Sequence, residues 1–336
     1  MITQLKLQNF GPLAEIDWQN LGSINLVIGG NGSGKTFLLK ALYSAMRTLE
    51  EYKRGNVQRT APEILADKLY WTFQAEKIGD LVAKGEAHLS FKMWVDQDEF
   101  SYGFGKDTTK QIAFLENQVN PRTSNSIFLP AKEVLSLHNI ILKSREEDKV
   151  FGFDDTYLDL ARALRQPSKG GRNFDDFAKS KRDLESIFGG KVEYDEGAGR
   201  WQFIKGKQRF PIGVTAEGIK KIAILDTLLS NRYLNRGSII FIDEPESALH
   251  PAALSQLLDI VGLLAEGGIQ FFMASHSYFA VKKLFLIAQE KQISIPIIAN
   301  EDGQWRAADL KKGMPDNAII AESIRLYEEE VDLALK

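Results

Sequence analysis

The chain has 336 residues, 44% of them apolar, so its length permits one large domain or two lobes around a sizeable core. The formal net charge of -3 is too small to indicate or exclude a nucleic-acid partner. The absence of cysteine excludes disulfides, zinc–thiolate sites and thiol catalysis. The sequence contains no secretory signal and no apolar run of about 18 residues, so we expect a cytoplasmic protein without a membrane partner.

The first part of the chain predicts strands and helices around a glycine-rich loop. Alternating apolar residues indicate strands, and an apolar stripe with a 3.6-residue period indicates a long helix after the loop. The predicted strands span residues 2–7, 13–18, 23–28, 87–95, 99–104 and 126–129, and the predicted helices span 35–52 and 62–82. Residues 55–125 form a β-rich insertion.

Residues 29–36 read Gly-Gly-Asn-Gly-Ser-Gly-Lys-Thr and match the phosphate-loop pattern G-x-x-x-x-G-K-[ST] between a predicted strand and a predicted helix. Glycines there allow backbone N–H groups to approach a polyphosphate. We expect Lys35 to bind the β- and γ-phosphates and to assist catalysis, and Thr36 to bind Mg²⁺. The predicted nucleotide contacts are Gly29, Asn31, Gly32, Ser33, Gly34, Lys35, Thr36 and Phe37. The flanking strand and helix disfavour the alternative, a glycine-rich turn without a ligand.

The second part of the chain predicts alternating strands and helices, which indicate an α/β fold. Residues 131–188 are helix-like and rich in charge, and they predict a separate helical lobe. Further predicted strands span 191–194, 201–204, 208–211, 238–242, 268–274 and 293–299, and further predicted helices span 215–231, 251–265, 277–289 and 315–336. We therefore predict three units, at residues 1–130, 131–188 and 189–336.

The last predicted helix carries an apolar stripe on one face. The stripe consists of Ile320, Ile324, Tyr327, Val331 and Leu335. We expect this face to pack on the protein's own sheet, and the alternative is a docking helix for a partner.

Two further strands end in chemically active residues. The apolar run 239–242 ends in Asp243 and Glu244, and ligands of parallel sheets bind at the carboxyl ends of the strands. We expect Asp243 to hold Mg²⁺ opposite Thr36, and Glu244 to take a proton from the attacking water. The next strand ends before His276, which we expect beside the γ-phosphate. The structural alternative for the acidic pair is the start of a helix at Pro245, and the alternative for His276 is a helix cap or a place in the core.

The order of these motifs resembles that of the ATP-binding-cassette ATPases. Among them the chain is similar to the SMC, RecF and OLD group, and especially to stand-alone AAA-type ATP-binding proteins of bacterial defence and toxin operons. The shared motifs are the Gly-Asn-Gly core of the loop, the Ser-His pair and the run Asp-Glu-Pro-Glu-Ser-x-Leu-His-Pro, here residues 243–251. The resemblance implies a P-loop NTPase with a two-lobed head, an antiparallel β subdomain and an inserted helical lobe.

The resemblance also implies roles for individual residues. Gly218 matches the signature glycine, whose helix faces the nucleotide of a second subunit, although Ala216 replaces the usual serine. A plain helix start with Thr215 as its N-cap is the alternative. Glu133 stands where the family has a glutamine that senses Mg²⁺, and Phe10 lies where a turn approaches the adenine, with a core position as its alternative. Residues 247–249 match the loop that crosses the dimer interface.

The resemblance implies that two copies sandwich two ATP molecules and that a slow, regulatory hydrolysis of ATP to ADP and phosphate releases the dimer. We expect such a homodimer to control a separate effector, a nuclease or toxin of a bacterial anti-phage defence or toxin-type system. Sixty residues follow His276, too few for an appended nuclease of the OLD kind.

Two other functions remain as alternatives. One is a RecF- or SMC-like DNA-binding ATPase of repair or replication, for which the basic residues at 162–182 and 200–209 are the candidate DNA contacts. Interspersed aspartates make a solvated face of mixed charge the simpler interpretation of the first group. The other is the motor subunit of a transporter, which the β-rich insertion and the altered signature disfavour.

Overall fold

The computed structural model describes residues 1–56, 58–167, 182, 184, 186, 189–301 and 303–335. The strands are β1 (Ile2–Phe10), β2 (Leu13–Trp18), β3 (Ile24–Ile28), β4 (His88–Val95), β5 (Asp98–Gly105), β6 (Phe114–Asn117), β7 (Ser126–Leu129), β8 (Lys191–Asp195), β9 (Arg200–Lys205), β10 (Gln208–Pro211), β11 (Ile239–Asp243), β12 (Gln270–Ser275), β13 (Pro296–Glu301) and β14 (Gln304–Asp309). The helices are α1 (Lys35–Glu51), α2 (Ala61–Phe73), α3 (His138–Leu142), α4 (Asp155–Leu164), α5 (Glu217–Ser230), α6 (Pro251–Glu266), α7 (Tyr278–Lys291) and α8 (Ala318–Ala334).

A six-stranded sheet with the order β14-β13-β3-β12-β11-β7 forms the centre of the fold. Its strands are parallel except β14, which pairs antiparallel with β13. Strands β3, β7, β11 and β12 are buried along their whole length, which explains why most of their residues are apolar. Because β12 lies between β3 and β11, the segments that follow these three strands meet at one edge of the sheet.

Two hydrophobic cores lie on opposite faces of this central sheet. Alternate residues of β11 separate between them: Ile240 and Ile242 join the core with α4 to α7, whereas Ile239 and Phe241 join the core with α1. The second core also includes the antiparallel sheet β2-β1-β4-β5-β6. A third sheet has the order β10-β9-β8. The predicted α/β class with an antiparallel β subdomain is confirmed.

Several predicted boundaries change in the structure. The helix predicted over 62–82 ends at Phe73, because Gln74 adopts a left-handed conformation with φ of 52°. A short 3-10 turn at Ile78–Leu81 replaces its second half. The sequence analysis also missed β6 and β14, two strands whose residues are all exposed or partly exposed.

Residues 131–188 contribute α3, a π-helical turn at Lys143–Glu147 and α4. Helix α4 packs against β7, α2 and α5, and its apolar residues belong to the core on that face of the central sheet. Residues 168–181, 183, 185, 187 and 188 lie outside the described part of the chain. The unit boundaries after residues 130 and 188 stay a prediction. No helix among the described residues is both long and apolar enough to cross a membrane.

The apolar stripe of the last helix is mostly exposed, so the expectation that it packs on the sheet is wrong. Ile320, at the start of α8, is buried, but 53% of Ile324 and 66% of Tyr327 remain accessible to solvent. Val331 and Leu335 are exposed as well. Helix α8 meets α7 only near its beginning and then leaves the core, which a helical period alone does not reveal.

Buried charges join α1, α2 and α4 behind the phosphate loop. The Nζ atom of Lys68 lies 3.0 Å from Glu51 Oε1, 3.1 Å from Asp155 Oδ2 and 3.2 Å from Asp159 Oδ2. Arg47 pairs with the same Asp159 at 3.3 Å. Burial lowers the pKa of Lys68, but the surrounding carboxylates outweigh burial and hold that pKa above its ordinary value. The fully surrounded ammonium group thus compensates several buried negative charges.

Replacing Lys68 by methionine is expected to lower the free energy of unfolding by about 3–5 kcal/mol, because each buried carboxylate around it loses a cationic partner. Burial raises the pKa of Asp159, yet Lys68 and Arg47 hold it below the ordinary value, so this carboxylate contributes stability that is lost on acidification. The difference in the free energy of unfolding between the variant and the wild type should therefore become smaller below about pH 4. Chemical unfolding measures both effects, with Lys6→Met, which breaks an exposed 3.0 Å pair with Asp17, as the control. Equal stability of the two variants would contradict the prediction.

Candidate functional site

The phosphate loop connects β3 to α1, as the sequence predicts. Gly34 precedes the helix with a left-handed φ of 93°. A Cβ atom there would lie 2.8 Å from a methyl carbon of Leu13, so both conformation and space require glycine. A Cβ atom on Gly29 would lie 2.7 Å from the hydroxyl of Ser33, which is buried and makes no hydrogen bond within the described structure. The loop is therefore a tightly wound backbone with an unused hydroxyl inside it.

Lys35 is the cation of the loop. Its Nζ atom donates hydrogen bonds of 2.8 Å to the carbonyls of both Gly29 and Gly30, and only 7% of the residue is exposed. Burial lowers the pKa of Lys35, and the charges of Asp243 and Glu244 partly oppose this effect. The ammonium group is thus held over the loop by weak backbone acceptors, a position from which it can reach a phosphate.

Thr36 and Asp243 meet although 207 residues separate them in the sequence. The Thr36 hydroxyl lies 3.0 Å from Oδ1 and 2.9 Å from Oδ2 of Asp243. Burial raises the pKa of Asp243, whereas the hydrogen bond from Thr36 lowers it. The contact joins the residue after the phosphate-loop lysine to the end of β11, so the two predicted magnesium ligands share one site.

Glu244 follows Asp243 in a strained conformation with φ of 48°. Its backbone N–H donates to the carbonyl of Ala274 at 2.9 Å, and its carbonyl accepts from Lys221 Nζ at 2.9 Å and from the N–H of Ser247 at 3.0 Å. These contacts hold the strained backbone, and they connect it to β12 and to α5. The sequence analysis did not identify Lys221.

His276 follows β12 and lies beside two carboxylates. Its Nδ1 atom is 3.5 Å from Oε1 of Glu244 and 3.6 Å from Oε1 of Glu246. The sequence analysis did not assign a role to Glu246, although it is part of the acidic run. The strand order explains the meeting, because β11 and β12 are adjacent and end at the same edge.

A cavity of about 490 Å³ opens at this edge and includes much of the phosphate loop. It is lined by Asn31, Gly32, Gly34, Lys35, Thr36, Phe37, Lys40, Thr72, Phe73, Gln74, Leu81, Asp154 and Glu244. Lys40, one turn into α1, pairs with Asp154 at 2.6 Å. The sequence analysis missed both residues, since 114 positions separate them.

Aromatic residues line one side of the cavity. Phe37 and Phe73 pack with ring centroids 4.4 Å apart, and both border the cavity. Phe10 is fully buried behind them, with its ring edge-on to Phe37 at 5.4 Å. Phe10 therefore occupies the core position that the sequence analysis left as its alternative. Phe37 and Phe73 instead offer an apolar surface that could contact the base of a nucleotide.

Two predicted site residues lie away from the phosphate loop. Glu133 accepts a hydrogen bond from the N–H of Ser136 at 2.8 Å and lies 3.7 Å from Lys220, in a second, mainly apolar cavity of about 300 Å³. Gly218 is buried at the start of α5, where a Cβ atom would lie 2.6 Å from a methyl carbon of Leu249. This contact within one chain gives a packing reason for the glycine.

Helix α5 does not begin with Thr215 as its N-cap, which the sequence analysis gave as the alternative. Ala216 occupies the N-cap position and provides no side-chain hydrogen bond. The Thr215 hydroxyl instead donates to the carbonyl of Pro211 at 3.5 Å. The loop before the helix is open to solvent, with 75% of Val214 exposed.

The residues at this edge suit a nucleotide with Mg²⁺. Magnesium in phosphate-binding sites takes one or two protein ligands together with phosphates and water, and Thr36 with Asp243 fits that pattern. The described residues contain no cluster of three or more His, Asp or Glu side chains that would hold a metal alone. The buried hydroxyl of Ser33 and the narrow backbone at Gly29 fit a phosphate cradle.

Comparison with known families decides the class of this site. Residues 96–282, more than half of the chain, match the family described as "AAA domain, putative AbiEii toxin, Type IV TA system". The chain belongs to this AAA-domain family. An AAA domain implies ATP as the nucleotide, and the phosphate loop lies before the matched segment. No curated protein matches the sequence.

Solved structures support the fold of this AAA-domain protein. An Smc head bound to the C-winged helix domain of ScpA is 14% identical with a TM-score of 0.54, and the match covers 92% of this chain and 97% of that one. An Smc head domain with an extended coiled coil, bound to the C-terminal domain of ScpA and derived from Pyrococcus furiosus, is 15% identical with a TM-score of 0.50, covering 96% and 99%. At these identities the similarity shows the fold alone. The predicted P-loop fold related to SMC heads is confirmed.

Proposed function

We propose that this AAA-domain protein binds ATP with Mg²⁺, hydrolyses it slowly, and uses an ATP-dependent homodimer to control a separate effector protein. The observation that carries the proposal is the contact of Thr36 with both carboxylate oxygens of Asp243, beside the buried Lys35. This arrangement supports a single magnesium–triphosphate site built from two distant parts of the chain.

Each residue of the site has a part in the proposed reaction. Lys35 binds the β- and γ-phosphates, and Thr36 and Asp243 hold the Mg²⁺, which would neutralise phosphate charge. Glu244, at the rim of the cavity, accepts the proton of the attacking water. His276, next to Glu244, contacts the γ-phosphate as it develops charge. Glu133 is proposed as a further magnesium contact only in a state in which its pair with Lys220 opens.

The start of α5 supports a second copy as the partner across the nucleotide. A helix N-terminus with an open cap favours a negative charge, and the loop before it is exposed. Gly218 itself packs on Leu249 of the same chain and allows the close approach of α5 to that residue. We therefore assign the contact with the nucleotide of the second copy to the start of α5 and to the exposed loop before it. The altered signature at Ala216 is consistent with slow hydrolysis.

An effector protein fits the described charges better than DNA does. The basic residues that the sequence analysis considered for DNA are in part engaged within the chain: Arg162 Nε lies 2.7 Å from Glu146, and Arg209 donates a hydrogen bond to Gln202 Oε1 at 3.4 Å. Residues Lys169, Arg172, Lys179 and Lys181 lie outside the described part of the chain. The family description, which names a toxin system, also favours a protein effector. The proposed cytoplasmic location follows from this function.

Light scattering of the wild-type protein tests the proposal. With Mg²⁺ and a non-hydrolysable ATP analogue the mass should double from 37.7 kDa, and with ADP it should not. Co-expression with a nuclease or toxin encoded beside the gene should then give a complex that responds to the same nucleotides. ATP-dependent DNA binding that weakens steeply with salt would instead favour the DNA-binding alternative.

A further inference from the structure

The second glutamate of the acidic run makes contacts that the proposed reaction does not use. Oε1 of Glu246 accepts hydrogen bonds from the Ser275 hydroxyl at 2.9 Å and from the backbone N–H of His276 at 3.0 Å. The same oxygen lies 3.6 Å from Nδ1 of His276. One carboxylate therefore binds the backbone of the residue that follows β12 and lies close to its ring.

The imidazole lies between two competing carboxylates. Its Nδ1 atom is almost equidistant from Oε1 of Glu244, at 3.5 Å, and Oε1 of Glu246. The side chain of Glu246 is 13% exposed and that of Glu244 is 34% exposed. Oε2 of Glu246 is buried and makes no hydrogen bond within the described structure, so this carboxylate can accept one more hydrogen bond.

We propose that Glu246 is a positioning residue for His276, which holds the imidazole at Nδ1 and thereby keeps it from occupying the carboxylate of Glu244. A carboxylate that binds one ring nitrogen sets the orientation of the ring and the tautomer of the other nitrogen. Glu246 thus leaves Glu244 available for water and directs the second nitrogen of His276 away from both carboxylates. This inference rests on the proposed function, because it assigns Glu246 to the same site.

The test combines Glu246→Gln with His276→Ala. The amide oxygen of glutamine can still accept from Ser275 and from the backbone, so the fold should be retained, but its neutral side chain no longer competes for the ring. We expect kcat for ATP hydrolysis to fall about 10- to 100-fold with unchanged ATP affinity. In the His276→Ala background the same substitution should have almost no effect, because the two residues act as one unit. Additive losses would overturn the proposal.

A second measurement does not depend on ATP hydrolysis. The protein has four histidines, so ¹⁵N spectra of the imidazole groups can resolve His276, with the His276→Ala variant as the assignment control. Glu246→Gln should shift the Nδ1 signal of His276, whereas Glu266→Gln, which alters an exposed pair with Lys291, should not. An unchanged signal refutes the proposal. A wild type without ATPase activity refutes the proposed function instead, and the spectrum still tests the position of the ring.

Discussion

Replacing Lys35 by alanine is expected to weaken ATP binding by at least about 100-fold. Each hydrogen bond to a charged group contributes about 1.5–3 kcal/mol, and 1.4 kcal/mol corresponds to a tenfold change in affinity. Lys35 is placed to reach two phosphates, so both contacts are lost. The neighbouring cation of the cavity, Lys40, is held by Asp154 at 2.6 Å and does not replace it.

Calorimetric titration with ATP and Mg²⁺ measures this loss directly. Lys283→Ala is the matched control, because it removes a lysine whose partner, Asp259, lies at 2.7 Å on the surface. Circular dichroism should show that both variants are folded. If the Lys35→Ala protein binds ATP as tightly as the control, the loop is not the phosphate site.

Replacing Glu244 by glutamine is expected to preserve ATP binding and to reduce hydrolysis by about 10²- to 10⁴-fold. The amide has the shape of the carboxylate but does not accept the proton of water. The contacts of residue 244 with Lys221 Nζ and with the carbonyl of Ala274 use only backbone atoms of residue 244, so the strained turn should remain. Because hydrolysis no longer opens the dimer, ATP should trap it.

A phosphate-release assay measures the loss of hydrolysis, and light scattering measures the trapped dimer. The variant should give a stable species of twice 37.7 kDa with ATP itself, whereas the wild type should return to the monomer as ATP is consumed. Glu266→Gln should behave as the wild type. Hydrolysis at the wild-type rate would exclude Glu244 as the base, and a monomer with bound ATP would exclude the dimer as the output.

Local sequence patterns were sufficient to predict the elements that depend on a few neighbouring residues. The phosphate loop, the apolar strands β3, β11 and β12, and the acidic end of β11 depend on composition over a few neighbouring residues. Their common edge followed from the rule that ligands bind at the carboxyl ends of parallel strands. The contact of Thr36 with Asp243 agrees with that reasoning.

The sequence analysis was wrong where a local residue pattern does not determine the structure. The helix predicted over 62–82 stops early, because the chain turns left-handed at Gln74, a position that neither proline nor glycine marks in the sequence. The stripe from Ile320 to Leu335 has the period of a packed helix, yet most of it is exposed to solvent in the described part of the chain. A period reveals which residues share a face but not what covers that face.

The sequence by itself predicted the nucleotide site of this AAA-domain protein, since a glycine-rich loop ending in Lys35 and an apolar strand ending in Asp243 are each recognisable within a few residues. Only the tertiary structure decided which distant side chains complete the site. Asp154 reaches Lys40, and Glu246 reaches His276, through pairings of helices and strands far apart in the chain. Such contacts depend on strand order and helix packing, which leave no local periodic trace, so the folded chain was needed to find them.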